Sequence, residues 1–150
     1  MKIKELLDYA PTLPLMVHKD ASLAQIVSLL CKHNDSRDIY VVTDSNKFLG
    51  IIPFRNVLRL VCNEFLPSLS RREIFELVVP CLAEDLMQSS IDCLSIDDNI
   101  EELVPKLLSD CLNEIPVVDS QKKLIGTIKL STLLTFVHFN TVQRKLHKNT

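Results

Sequence analysis

Glycine occurs only twice in the 150 residues, at Gly50 and Gly126. That scarcity excludes the glycine-rich phosphate cradles, both the P-loop and G-x-G-x-x-G, and no G-x-S-x-G elbow for acyl transfer is present. No apolar run approaches the roughly 18 residues of a membrane span, because Lys, Arg, Asp or Glu interrupts every candidate. The opening Met-Lys-Ile-Lys-Glu-Leu-Leu is charged and helical in pattern, without a signal-peptide apolar core. A soluble, cytoplasmic chain without membrane insertion is therefore expected. The five cysteines, Cys31, Cys62, Cys81, Cys93 and Cys111, form no C-x-x-C pair and are odd in number. Reduced, mostly buried thiols are expected rather than a disulfide framework or a zinc site.

The net charge of −2 argues against general nucleic-acid binding. The charge is uneven, however. After Asp119 no acidic residue follows, while Lys122, Lys123, Lys129, Arg144, Lys145 and Lys148 do. A solvated basic tail is the plain reading; a local attraction for phosphate or another anion is the sharper one. Cys31 and His33 lie two positions apart and would point different ways on a helix, so no thiol nucleophile is expected. The acidic runs Asp97-Asp98 and Glu101-Glu102 suit a first helical turn, and no metal is expected.

At 47% hydrophobic residues the chain has ample material for a core, and it repeats itself. Val41-Val42-Thr43-Asp44-Ser45-Asn46-Lys47-Phe48-Leu49-Gly50-Ile51-Ile52 aligns with Val117-Val118-Asp119-Ser120-Gln121-Lys122-Lys123-Leu124-Ile125-Gly126-Thr127-Ile128, so that both glycines fall at one place (126 − 50 = 76). Each segment reads as an apolar strand, a polar turn and a second apolar strand, hence a β-hairpin. A glycine within the second strand predicts a bulge or a close backbone approach. Upstream, Ser22-Leu23-Ala24-Gln25 corresponds to Asn99-Ile100-Glu101-Glu102 (99 − 22 = 77), each with capping-box spacing. Behind them Leu23, Ile26, Val27 and Leu30, and likewise Ile100, Leu103, Val104 and Leu107, follow the spacing of one apolar helix face. Pro105 falls inside the second helix, where it should kink it.

Short apolar stretches at Leu15-Met16-Val17 and Cys93-Leu94 read as strands before these helices. After each hairpin another helix is expected, with Phe54, Val57, Leu58 and Val61 in the first and Leu130, Leu133, Leu134 and Val137 in the second at helical spacing. The unit is β-α-β-β-α, twice over. Ser70-Arg71-Arg72-Glu73 opens a connecting helix with Ile74, Leu77 and Val78 inward, and Pro80 ends it. Ile3, Leu6, Leu7 and Ala10 share one face of a short N-terminal helix expected to pack on the core. The division is an N-terminal helix and linker at 1–13, repeat one at 14–66, a connecting helix at 67–83, repeat two at 84–142 and a basic tail at 143–150. Two such units, α/β in class with helices flanking small three-stranded sheets, are expected to pack as a pseudo-two-fold pair with a cleft between them.

In order and in duplicate, Asp20-Ala21-Ser22-Leu23, Glu84-Asp85-Leu86-Met87, Ile115-Pro116-Val117-Val118-Asp119 and Leu124-Ile125-Gly126-Thr127-Ile128 resemble a tandem pair of CBS (cystathionine-β-synthase-type) domains, the Bateman module. The resemblance implies a non-catalytic regulatory module without a cofactor. It implies sensing of an adenine-containing ligand, AMP, ADP, ATP or S-adenosylmethionine, in the cleft between the repeats. It also implies a homodimer and a separate regulated protein as partner.

The family's ligand signature runs glycine, two apolar residues, Ser or Thr, two variable residues, then Asp. The hydroxyl typically meets phosphate, and the carboxylate holds the ribose hydroxyls. Gly50-Ile51-Ile52-Pro53-Phe54-Arg55-Asn56 replaces the hydroxyl by Pro53 and the carboxylate by Asn56. Gly126-Thr127-Ile128-Lys129-Leu130-Ser131-Thr132 puts Lys129 and Thr132 there instead. Because a hydrogen bond to a charged group is worth about 1.5–3 kcal/mol, ribose recognition should weaken by about 10- to 150-fold. Lys129 compensates as a point charge for phosphate, and the N–H groups of the two helix starts favour anions. On this resemblance the ligand contacts are Arg55, Asn56, Lys129, Ser131 and Thr132, with His18 after the first strand and Arg37 and Tyr40 before the second, where Tyr40 would stack on adenine. The alternative is a degenerate, ligand-free pair that acts as a dimerisation or docking scaffold.

Overall fold

The computed structural model describes residues 1–33, 37–62, 81–89, 92–109 and 114–148. The chain forms two units, Met1–Pro14 together with Asp92–Thr150, and Leu15–Ile91. The amphipathic start of the chain folds as α1 (Ile3–Tyr9), with Ile3 and Leu6 fully buried. In the Leu15–Ile91 unit, β1 (Met16–His18), α2 (Leu23–His33), β2 (Ile39–Val42), β3 (Phe48–Ile52) and α3 (Phe54–Val61) follow in order. The one-turn α4 (Ala83–Leu86) belongs to the same unit. In the other unit, β4 (Leu94–Ser95), α5 (Ile100–Ser109), β5 (Glu114–Val118), β6 (Leu124–Lys129) and α6 (Leu130–Lys148) repeat that sequence of elements.

Each unit carries a three-stranded sheet flanked by helices. β1 pairs parallel with β2, and β2 antiparallel with β3; β4, β5 and β6 do likewise. Every residue of β2 and of β5 is buried, as expected for strands covered on both faces. Ile39 and Val41 enter one core cluster with Ile26, Leu30, Ile52 and Val57. Ile115 and Val117 enter the other with Leu94, Ile100, Leu103 and Ile128.

The helix starts differ between repeats. Ser22 and Gln25 form the reciprocal capping box, with Gln25 N–H donating to Ser22 Oγ at 3.2 Å and Ser22 N–H to Gln25 Oε1 at 2.9 Å. At α5 the matching Glu102 N–H instead bonds the Asn99 backbone carbonyl at 3.2 Å. The helices after the hairpins also turn inward less than their spacing predicts. Val57 and Leu133 are buried, whereas Leu58, Val61, Leu134 and Val137 are exposed. Phe136, absent from the expected inward set, packs on the core and sits edge-on to Tyr9 with centroids 5.2 Å apart. The expected connecting helix at 67–83 lies outside the described residues except for its last three positions, where Ala83 opens the one-turn α4. Among the described residues the cysteines are less buried than expected: Cys31 is exposed, and Cys62, Cys81 and Cys93 are half-buried.

The bulge expected at the glycines is present in both hairpins, and the close backbone approach at Gly50. The hairpins shift register between Val41 and Val42, and between Val117 and Val118. Each glycine also lies under a segment from elsewhere in its unit. A Cβ on Gly50 would lie 2.5 Å from the Gln88 carbonyl oxygen, and one on Gly126 would lie 3.1 Å from Leu7 Cδ2. Those approaching segments are exchanged relative to chain order. Met1–Pro14, which precedes repeat one, is built into the unit of repeat two. There Ile3 N–H bonds Asp98 O at 2.9 Å, Lys4 N–H bonds Ile96 O at 3.2 Å, and Thr12 bridges Thr127. The segment at 82–88, which precedes repeat two, is likewise built into the unit of repeat one. Ala83 N–H bonds Ala21 O at 2.8 Å, Glu84 N–H bonds Lys19 O at 3.0 Å, and Gln88 exchanges two hydrogen bonds with Ile51.

Candidate functional site

The signature positions lie where a strand runs straight into a helix. β3 ends at Ile52, Pro53 caps α3 with φ −62° and ψ 135°, and the helix starts at Phe54. Proline suits that place, since it has no N–H to leave unpaired and its φ is already fixed. It also brings no side-chain acceptor, and Pro53 makes no side-chain cap bond. The cap comes from 16 residues upstream instead: Phe54 N–H donates to Asp38 Oδ1 at 3.0 Å in a part-buried contact. Arg55 is exposed on the first turn, and Asn56 is half-buried with its N–H bonded to Pro53 O at 2.9 Å. The anion-favouring N–H groups expected at this helix start are thus already met in part by a carboxylate of the chain itself.

In the other unit β6 passes into α6 without an intervening residue, so Lys129 is the last strand residue and Ser131 and Thr132 occupy the first helical turn. Lys129 and Thr132 are half-buried and Ser131 is exposed. Lys129 is paired in register with Glu114, a buried carboxylate to which the fully buried Thr127 hydroxyl donates. Asp38 and Glu114 stand at equivalent places in the two repeats (114 − 38 = 76). Sequence reasoning assigned neither as a partner of the helix start or of a buried hydroxyl; the signal was an acidic residue recurring at the start of an otherwise apolar strand.

His18, at the end of β1, is held from both sides. Its Nδ1 accepts the Asp20 N–H at 3.2 Å, and its Nε2 lies 2.5 Å from Asp44 Oδ1. Arg37 is half-buried beside Asp38. Tyr40 is fully buried on the face of β2 opposite Ile39 and Val41, its ring centroid 6.2 Å from that of Phe48. Arg55 and Asn56 are therefore brought together with Asp38 at one helix start, and Lys129, Ser131 and Thr132 at the other.

Features that would suggest other chemistry are weak. Burial, then the nearby Asp85 carboxylate, pushes the Cys81 thiol above its usual range, which disfavours the reactive thiolate. Among the described residues no group of His, Cys, Asp or Glu is placed to hold a metal ion, and no helix is long and apolar enough to cross a membrane. A hollow of about 110 Å³ lined by Leu94, Asp98, Asn99, Glu102 and Leu103 opens at the start of α5. It falls well short of the roughly 300 Å³ of a small-molecule pocket.

Two small α/β units, each with a three-stranded sheet and a strand-to-helix corner, define a tandem-repeat module. The CBS domain family model matches residues 5–63 and 83–138, and the chain belongs to the CBS domain family. Among solved structures the chain is similar to a CBS domain-containing protein from Thermotoga maritima (26% identity, 89% of this chain and 92% of that one, TM-score 0.67). It is similar in fold to CBSX2 in complex with AMP (20% identity, 93% and 98% covered, TM-score 0.71). It also shares its fold with the CBS domain pair of protein MJ0100 in complex with 5'-methylthioadenosine and S-adenosyl-L-methionine (16% identity, 93% and 98% covered, TM-score 0.66). No match was found among curated proteins.

Proposed function

We propose that this chain is a non-catalytic regulatory module that senses an adenine-containing ligand. The observation that carries this reading is the placement of Arg55 and Asn56 in the first turn of α3, and of Lys129, Ser131 and Thr132 at the start of α6, each directly after a paired strand. These are the positions the family signature uses, and helix starts present N–H groups to anions. Support also comes from CBSX2 and MJ0100, structures of this fold that hold AMP or S-adenosyl-L-methionine. Asn56 supplies an amide oxygen to ribose, Lys129 a positive charge to phosphate, and Ser131 and Thr132 hydroxyl groups. Arg37, next to Asp38 in sequence, belongs to the first of these places, whereas His18 pairs with Val42 at the other end of β2 and Tyr40 is buried within the unit, so neither is counted among the contacts.

Calorimetric titration with AMP, ADP, ATP and S-adenosylmethionine tests the reading. Saturable binding is expected, weakened about 10-fold or more by Lys129→Ala and about 2- to 10-fold by Asn56→Ala. Absence of heat with all four, together with an unchanged melting temperature at millimolar ligand, would remove nucleotide sensing.

One observation favours a second reading, a homodimer or docking scaffold. Helix α6 exposes Leu134, Phe139 and Leu146 at 72%, 54% and 63%, more apolar surface than a solvated helix needs. Light scattering at micromolar concentration should then report twice the mass of 17.1 kDa; the monomer mass would remove the homodimer.

A further inference from the structure

We infer that Asp38 is a built-in substitute for phosphate at the N-terminus of α3, so that the first repeat admits an adenine ligand without phosphate there and rejects nucleotides. The inference rests on the proposed sensing of adenine ligands and narrows its chemical class. A helix N-terminus attracts one anion at its first free N–H groups. In this chain that anion is already present, because Asp38 Oδ1 accepts the Phe54 N–H at 3.0 Å in a part-buried setting.

Two further facts fit that role. Pro53 stands where the family signature has the hydroxyl that meets phosphate, and it offers neither hydroxyl nor N–H. The Asp38 carboxylate is not carried by α3 or its turn; it comes from just before β2, in the adjacent strand, whose Ile39 pairs with Ile52 one residue before Pro53. The sheet therefore holds the charge in place independently of the helix it caps. A phosphate arriving at this corner would meet the Asp38 carboxylate first, because it is the group bonded to the Phe54 N–H in a part-buried setting, where like charges repel more strongly than in water. Arg55 on the same turn is exposed and screened by solvent. A nucleoside, or an adenosine derivative that is neutral or cationic at its 5' end, meets no such repulsion.

The test compares the full chain carrying Lys129→Ala, which silences the other repeat's phosphate contact, with the same chain also carrying Asp38→Asn. Asparagine caps a helix about as well as aspartate, so the fold is retained while the charge is removed; Asp38→Ser, a second neutral cap, guards against a change peculiar to Asn. The probes are inorganic phosphate, with ionic strength matched by chloride, and AMP and adenosine as a pair. Each neutral variant should gain phosphate affinity of at least about tenfold, read from melting temperature against phosphate concentration. The ratio of AMP to adenosine affinity should rise by a similar factor, with adenosine itself unchanged. Folded Asp38→Asn and Asp38→Ser chains that bind phosphate no better than their parent would overturn the inference, whatever the adenine results. A gain in phosphate affinity without adenine binding in any variant would instead uphold the inference about Asp38 and refute the adenine-sensing reading.

Discussion

Asn46 and Lys122 occupy one place in the two hairpin turns, and both adopt left-handed backbone, with φ of 61° and 64°. Asparagine tolerates that region better than lysine, since a Cβ there costs about 1–2 kcal/mol that a short polar side chain partly recovers. The surrounding turn holds Lys122 in place, with Asp119 Oδ1 accepting N–H bonds from Gln121 at 2.8 Å and Lys123 at 2.9 Å. Lys122→Asn should therefore stabilise the protein by about 0.5–1 kcal/mol, seen as a higher urea midpoint with an unchanged slope. A second contrast lies between the glycines. A methyl group on Gly50 would strike the Gln88 carbonyl at 2.5 Å, in a backbone pair that cannot yield without breaking two hydrogen bonds. On Gly126 it would meet Leu7 Cδ2 at 3.1 Å, a side-chain tip that can turn aside. Gly50→Ala should cost about 2–3 kcal/mol and Gly126→Ala about 1 kcal/mol or less, and equal losses in denaturant titration would contradict this account of the close approach.

At the scale of elements, α5 is the anomaly, because Pro105 lies inside it and is exposed. Proline removes one intrahelical hydrogen bond and crowds the preceding turn. Replacing it by alanine should raise stability by about 1–3 kcal/mol, measured as a shift in the denaturation midpoint; a loss would mean that the kink itself is needed. The elements were largely legible in the sequence, because paired apolar runs around polar turns and the 3-4 spacing behind Ser22 and Asn99 are local patterns. What was not legible depends on contacts distant along the chain. The spacing of Leu134 and Val137 suits a helix, but only packing decides that Leu133 and Phe136 face the core. Asp38 could not be recognised as the cap of α3 from sequence, since its partner Phe54 lies 16 residues away across a hairpin. The same limit applied to α1, whose apolar face was evident while the core it enters was not.

At the scale of the whole molecule, the exchanged segments decide what can fold alone. The Leu15–Ile91 unit contains both its repeat and the 82–88 segment that covers Gly50. The other unit draws Ile3 and Leu6 from the far end of the chain, and both are fully buried in its core. Losing two such side chains typically removes several kcal/mol, a large part of a small domain's stability. A fragment spanning 15–91 should therefore fold cooperatively by circular dichroism. A fragment spanning 92–150 should not, unless a peptide of residues 1–14 is supplied in trans. A cooperative transition from 92–150 alone would show that α1 is ornamental to that core.

The exchange also fixes a timetable for synthesis. Residues 1–14 leave the ribosome well before their partners in β6, near Thr127. At about 5–20 residues per second, the apolar face of α1 must wait on the order of ten seconds until those partners are made, while the Leu15–Ile91 unit can close in the meantime. The growing chain thus passes through a half-built stage that presents Ile3 and Leu6 as a short greasy tag, and a cell in which translation slows between α1 and β6 lengthens the exposure of that tag to chaperones and proteases.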